Sequence, residues 1–269
     1  MLTYPGFDPI ALDLGVWNLP GIGSAHLAVR WYGLMYLIGF VGGWWVLRRR
    51  AAARPLGWSD EQVADLVFHA ALGVVLGGRV GYILIYNFAA FLADPSLLLR
   101  VWEGGMSFHG GLLGVLVAMW WYGRREQRGF FALTDFIAPA VPIGLGAGRL
   151  GNFINGELWG KAADVPWALV VAGVPRHATQ LYELALEGVV LFTVLNLYAR
   201  RPRPTMAVSG LFALLYGAFR CCAEVWRMPD EQLGYLYGGW LTMGILLSVP
   251  LMLVGATLLA LAYRTRPAA

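Results

Sequence analysis

The chain reads as an all-α integral membrane protein with seven transmembrane helices, its N-terminus outside and its C-terminus in the cytoplasm. Three observations predict this. Of 269 residues, 58% are hydrophobic and only 13% charged, far more apolar than a soluble domain, and 35 glycines suit close helix packing in lipid. Apolar segments long enough to cross roughly 30 Å of hydrocarbon fall at 31–47, 64–86, 106–123, 132–150, 180–199, 206–224 and 239–263. Basic clusters follow every odd-numbered segment: Arg48, Arg49, Arg50 and Arg54; Arg124, Arg125 and Arg128; Arg200, Arg201 and Arg203; Arg264 and Arg266. The positive-inside rule assigns those four ends to the cytoplasm.

The remaining segments follow from this frame. The first thirty residues lack a basic region followed by an apolar one, so insertion is expected to rely on the first span rather than on a cleaved signal. The loops 87–105, 151–179 and 225–238 then face outward, into the periplasm where the cell has two membranes. A single domain over 1–269 is expected, with a small outer cap around 151–179, since the Arg201-Pro202-Arg203-Pro204 turn is too short to separate domains. The net charge of +4 resides in the arginine clusters, which makes it topology and not a nucleic-acid surface. Cys221 and Cys222 are adjacent within an apolar run, where a disulfide between them has poor geometry and helix packing is the expected role.

Within this apolar chain, the run from Gly148 to Gly160 brings a cation, Arg149, together with Asn152, Asn155 and Glu157 beside a membrane segment. Such residues are costly there and usually functional. Arg149 offers a planar fork of donors that matches a phosphate, and the surrounding glycines allow close backbone approach. The run reads as a site for an anionic lipid headgroup; the alternative is a helix cap with a snorkelling arginine.

Depth gives a second argument. At 1.5 Å per residue, Arg220 lies roughly 20 Å along an outward-running sixth span, and Arg79 reaches a similar height on the second, whereas Asp65 and His69 stay near its cytoplasmic end. Tyr32 and His109 begin inward-running spans, and Arg149 ends an outward-running one. Five segments thus converge on one level at the outer leaflet. Arg220, Glu224 and Arg227 share one helix face by their spacing, with Tyr216 one turn below; this is either a salt-bridged helix end or the wall of a polar cavity.

His109 lies between Gly104-Gly105 and Gly110-Gly111. It is either a structural hydrogen-bonder or a general base for a thiol or hydroxyl, a task for which histidine's ordinary pKa near 6.5 is suited. His26, His69 and His177 are too scattered for ligand spacing, and no metal site is expected. The run Leu76-Gly77-Gly78-Arg79-Val80-Gly81 lacks the ending of a phosphate loop, so its glycines are expected to pack helices. An anion transporter is the competing class, but it needs polar residues toward both faces, and the inner half has few.

Six motifs in order carry a resemblance: Arg30-Trp31-Tyr32-Gly33-Leu34-Met35-Tyr36, Gly77-Gly78-Arg79-Val80-Gly81-Tyr82, Gly105-Met106-Ser107-Phe108-His109-Gly110-Gly111, the 148–160 run, Gln180-Leu181-Tyr182-Glu183, and Tyr216-Gly217-Ala218-Phe219-Arg220. Over nearly its whole length the chain resembles the bacterial prolipoprotein diacylglyceryl transferases. The resemblance implies transfer of the diacylglyceryl group of phosphatidylglycerol to a lipobox cysteine of a prolipoprotein in the inner membrane, giving a thioether and glycerol phosphate. It places the family's signature residues on Arg149, Asn152, Glu157 and Gly160, its histidine on His109, its first tyrosine on Tyr32, and its late tyrosine, arginine and glutamate on Tyr216, Arg220 and Glu224. The catalytic set is then His109, Arg149 and Arg220. Tyr32, Arg79, Asn152, Asn155, Glu157, Gly160, Tyr216 and Glu224 form the substrate-binding set. No cofactor and no nucleic-acid partner is expected, and the chain is expected to act as a monomer. Ala178-Thr179 and Ile245 depart from the usual Pro-Ser and Gln of the family.

Overall fold

A computed structural model of the protein describes residues 2–19, 23–53, 57–101, 104–229 and 234–264. Arg54 and Arg266 of the basic clusters lie outside the described residues. The helices are α1 (Trp31–Ala52), α2 (Asp60–Tyr86), α3 (Phe88–Ala93), α4 (Phe108–Arg125), α5 (Phe130–Ile137), α6 (Val141–Ile154), α7 (Thr179–Tyr198), α8 (Ala207–Glu224) and α9 (Met243–Arg264). Among the described residues, α2, α7, α8 and α9 are each long and apolar enough to cross a membrane, and α5 with α6 adds a fifth if the pair is one broken span. The protein is therefore a multi-pass, predominantly helical membrane protein. The chain divides into two compact units, Met1–Gly43 with Ile137–Ala269 and Trp44–Phe136.

In the unit Trp44–Phe136, Ser59 caps α2: its hydroxyl accepts from the Gln62 N–H and the Gln62 side chain accepts from the Ser59 N–H, both at 3.1 Å. Glycines then recur every fourth residue along α2, at Gly73, Gly77 and Gly81, and meet Gly110 and Gly114 of α4. A Cβ on Gly73 would lie 2.6 Å from the Gly114 carbonyl oxygen, and one on Gly81 2.6 Å from the Gly110 Cα. These backbones touch because neither carries a side chain, the packing that lipid-embedded helices use in place of hydrophobic collapse. The packing role read for the Gly77 run is the one the helices use. At the end of α1, Arg49 lies 3.8 Å over the Trp45 ring, and the helix extends through Arg48, Arg49 and Arg50.

In the other unit, β2 (Ile10–Leu19) and β3 (Gly23–Arg30) form an antiparallel hairpin leading into α1. β1 (Leu2–Thr3) joins β4 (Leu169–Val171) in parallel, and β4 pairs with β5 (Val174–Arg176) through the turn at Ala172 and Gly173, both with positive φ. Part of the 151–179 loop is thus a small sheet. The helix expected over 132–150 is interrupted at 138–140. Pro139 and Pro142 lack the N–H that a continuous helix would need, and the Pro139 carbonyl accepts from Asn196 Nδ2 at 2.9 Å.

Three further packing features position the site. α6 and α7 approach through Gly146 and Gly188, where a Cβ on Gly188 would sit 3.0 Å from the Gly146 Cα. α8 and α9 meet through Gly210, Gly217 and Gly255. Residues 184–190 of α7 form a π-helical stretch, a widened turn that occurs most often at functional sites.

Candidate active site

The centre of the unit Met1–Gly43 with Ile137–Ala269 is an ionic cluster built from α6, α7 and α8. Glu183 and Glu187 of α7 are fully buried. A carboxylate removed from water needs cations and donors around it, and here three arginines supply them. Arg149 of α6 places Nε 3.1 Å from Glu183 Oε2 and Nη2 3.2 Å from Glu187 Oε2. Arg220 of α8 donates from Nη1 to Glu183 Oε1, and its Nη2 stands 2.5 Å from Glu224 Oε1. Arg227 donates from Nη1 to Glu183 Oε1 at 3.1 Å and places Nε 3.6 Å from Glu224 Oε1. Helix α8 ends at Glu224, so Arg227 reaches the cluster from the turn beyond it.

Glu224 is fixed from a further side. Thr242 donates from Oγ1 to Glu224 Oε2 at 2.5 Å, and Gly244 makes room for the carboxyl, since a Cβ there would lie 2.6 Å from the Glu224 Cδ. Tyr216 lies on the same helix, its ring stacked on Phe212 at 5.8 Å. Arg149 joins the Arg220–Glu224 helix face expected from the sequence in one network, and Glu183 is its hub. Glu187, which is not among the residues expected at the site, belongs to it. The signal for it was present: a carboxylate within an apolar span is costly and rarely idle.

The end of α6 forms a second polar group. Glu157 accepts from Asn152 Nδ2 at 3.2 Å and from Asn155 Nδ2 at 3.1 Å, and forms no ion pair among the described residues. Tyr4 donates to the carbonyls of Phe153 and Ile154, each at 2.9 Å, closing that helix end. Gly160 is wedged between two strand-like segments: its N–H donates to the His177 carbonyl at 2.8 Å, and a Cβ would lie 2.6 Å from the Trp226 carbonyl oxygen. Tyr32 packs on α6 at Gly151, where a Cβ would meet its ring at 3.0 Å. Above Gln180, His177 Nδ1 and the Tyr182 hydroxyl are 2.9 Å apart, and burial pushes the His177 imidazole below its ordinary pKa.

Arg79 and His109 belong to the unit Trp44–Phe136. Arg79 is buried, with its Cζ 5.7 Å from the Tyr82 ring centroid, and its hydrogen bonds among the described residues go to backbone: Nη1 donates to the carbonyls of Gly104 and Gly105 (3.1 Å), and Nη2 to those of Leu97 and Arg100 (2.8 Å). It ties the 97–105 loop to α2. His109, the second residue of α4, is exposed; its ring touches Phe108 and makes no hydrogen bond among the described residues. Ser107 caps that helix by accepting from the Gly110 N–H at 3.2 Å.

A clustered set of guanidinium groups in an apolar, glycine-packed helix bundle can bind a lipid phosphate, and comparison with known proteins fits that chemistry. The profile of the prolipoprotein diacylglyceryl transferases matches residues 21–261. The chain belongs to the prolipoprotein diacylglyceryl transferase family. It is 58% identical to the phosphatidylglycerol–prolipoprotein diacylglyceryl transferase of Ectopseudomonas mendocina, covering 99% of this chain and 98% of that one. The enzyme of the same name from Azotobacter vinelandii is 60% identical over 98% of this chain and 97% of its own. That of Pseudomonas paraeruginosa is 57% identical over the same shares. Members of this family are transferases by name, and the arginine cluster described above lies within the matched residues.

Proposed function

We propose that this chain transfers the diacylglyceryl group of phosphatidylglycerol to the lipobox cysteine of a prolipoprotein, the first step of lipoprotein maturation. The observation that carries the reading is Arg149. Its Nε and Nη2 edge is held by two buried carboxylates, while Nη1 has no partner among the described residues and is left to meet a phosphate oxygen.

The step balances without a metal or an organic cofactor. The cysteine thiol gives its proton to a base, the thiolate sulfur forms a bond to glycerol C3, and the C3–O bond breaks, so that glycerol phosphate leaves with the electron pair. A free thiol has a pKa near 8.5 and is mostly protonated at neutral pH, which gives His109 a task as base. Arg149 and Arg220 stabilise the negative charge that grows on the leaving phosphate. Asn152, Asn155 and Glu157 orient the headgroup, Glu224 holds Arg220, and Tyr32, Arg79, Gly160 and Tyr216 shape the substrate site.

In this reading the chain crosses the bacterial inner membrane seven times, by α1, α2, α4, α5 with α6, α7, α8 and α9. The N-terminus lies outside and the C-terminus in the cytoplasm. The site opens at the outer leaflet, beneath a cap around 151–179, and the protein works as a single-domain monomer without a nucleic-acid partner. The alternation of basic clusters supports this orientation. The test is to incubate purified protein with phosphatidylglycerol and a lipobox peptide and to look for the thioether by mass spectrometry. A peptide of unchanged mass would overturn the reading.

A further inference from the structure

The geometry points to Glu187 as a positioning residue that turns Arg149 toward the phosphate, a role resting on the activity proposed above. Three observations converge on it. First, Glu187 is fully buried and has one hydrogen-bonding partner among the described residues: its Oε2 accepts from Arg149 Nε at 3.4 Å and from Nη2 at 3.2 Å. Second, its Oε1 is buried with no hydrogen-bond partner among the described residues. A half-satisfied buried carboxylate keeps part of its desolvation cost, and the charge of Arg149 is already met by Glu183, so neutralising that cation does not by itself require Glu187. Its presence is therefore better explained by orientation than by stability. Third, the local backbone is arranged around the contact. Gly146 lies one turn before Arg149 and meets Gly188, the neighbour of Glu187, and the π-helical stretch 184–190 begins directly after Glu183.

The two carboxylates divide the work unequally. Glu183 is shared by Arg149, Arg220 and Arg227, so it joins the three helical segments. Glu187 forms its ion pair with Arg149 alone among the described residues. Together they occupy the Nε/Nη2 edge of that guanidinium and leave Nη1 as the group available to a ligand. Without Glu187, Arg149 keeps its charge and its contact to Glu183 but gains rotational freedom about the last side-chain bonds.

The test uses Glu187→Gln and Glu187→Met in the full-length protein, with kcat, KM for phosphatidylglycerol, phosphatidylglycerol affinity and thermal midpoint read on each. Positioning predicts that both variants stay folded, with thermal midpoints lowered less than in Glu183→Ala because Arg149 keeps Glu183, while kcat/KM falls about 100-fold, the scale of a misplaced binding group. In an Arg149→Lys background, which has no guanidinium edge to hold, Glu187→Gln is expected to weaken phosphatidylglycerol affinity by less than ~3-fold more. Wild-type kcat/KM in Glu187→Met would overturn the role. So would an equal loss of affinity in both backgrounds, or activity lost only in proportion to a fallen thermal midpoint. If the wild-type protein forms no thioether, the activity reading fails on its own, and the affinity arm still tests the tether.

Discussion

Arg149 Nη2 and Glu187 Oε2 are 3.2 Å apart, on two helices whose backbones touch through Gly146 and Gly188. The contact links a sequence feature, Gly146 one turn before Arg149 and Gly188 beside Glu187, to a guanidinium with one edge occupied and Nη1 without a partner among the described residues. The cluster around it is charge-balanced, with Arg149, Arg220 and Arg227 facing Glu183, Glu187 and Glu224. Several outcomes depend on that balance.

Arg149→Lys is expected to lose most activity while still inserting and folding, because lysine keeps the charge but not the planar fork. Arg220→Ala should fail comparably, and the two changes should be non-additive if both guanidinium groups grip one phosphate. Steady-state kinetics of the single and double variants decide this; multiplying defects would indicate two independent sites.

Glu183→Ala removes the carboxylate shared by three arginines and leaves buried cations uncompensated. Breaking a buried pair in this way costs about 3–5 kcal/mol. A clear drop in thermal midpoint is expected, larger than in the Glu187 variants; a midpoint equal to wild type would show that the network is not held through Glu183.

Gly77→Ala in α2 places a methyl group against the Gly110 carbonyl and 2.7 Å from the Gly114 Cα. Both obstacles are backbone, so α2 and α4 must separate. Overpacking of this kind costs about 1–3 kcal/mol. A thermal midpoint unchanged within error would argue against the close glycine seam.

Cys221→Ala with Cys222→Ala should remain active, since the reacting sulfur belongs to the substrate and both cysteines are free thiols on α8. Lost activity with normal expression and stability would mean that the chain supplies its own thiol.

His109→Gln separates a proton acceptor from an orienting group. A base contributes about 10²–10⁴-fold, and its loss should be partly relieved where the thiolate forms unaided. Given a free thiol pKa near 8.5, the defect should shrink between about pH 7 and pH 9. A small, pH-independent defect would assign thiol activation to the arginines instead. The exposed ring, without a hydrogen bond among the described residues, is the observation that makes the base the expected outcome.

The spacing of Arg220, Glu224 and Arg227 was legible in the sequence because a helix repeats every 3.6 residues, and the glycines of α2 announced close packing for the same reason. The membrane character was legible because apolar length and charge placement are local properties. The β2–β3 hairpin is absent from the all-α expectation: Leu12, Leu14 and Val16 alternate with period two, but all three are exposed, so no buried face marks the strand. Motif resemblance supplied the family, which the matched residues then bore out. The interruption of the 132–150 segment is written in Pro139 and Pro142, whose effect the continuous apolar run around them conceals.

Partner choice among charged residues was decided only by tertiary structure. Glu183 stands 34 residues from Arg149 and 37 from Arg220, so nothing in local spacing pairs them. The same holds for Arg79, whose guanidinium is occupied by carbonyls of a loop 18 to 26 residues away. The sequence by itself determined which charges had to be buried in an apolar chain, since their side chains sit on spans that lipid would surround. Which cation faces which carboxylate, and which edge of Arg149 stays open, depends on how closely the helices approach, and that distance is set by glycines meeting across separate segments.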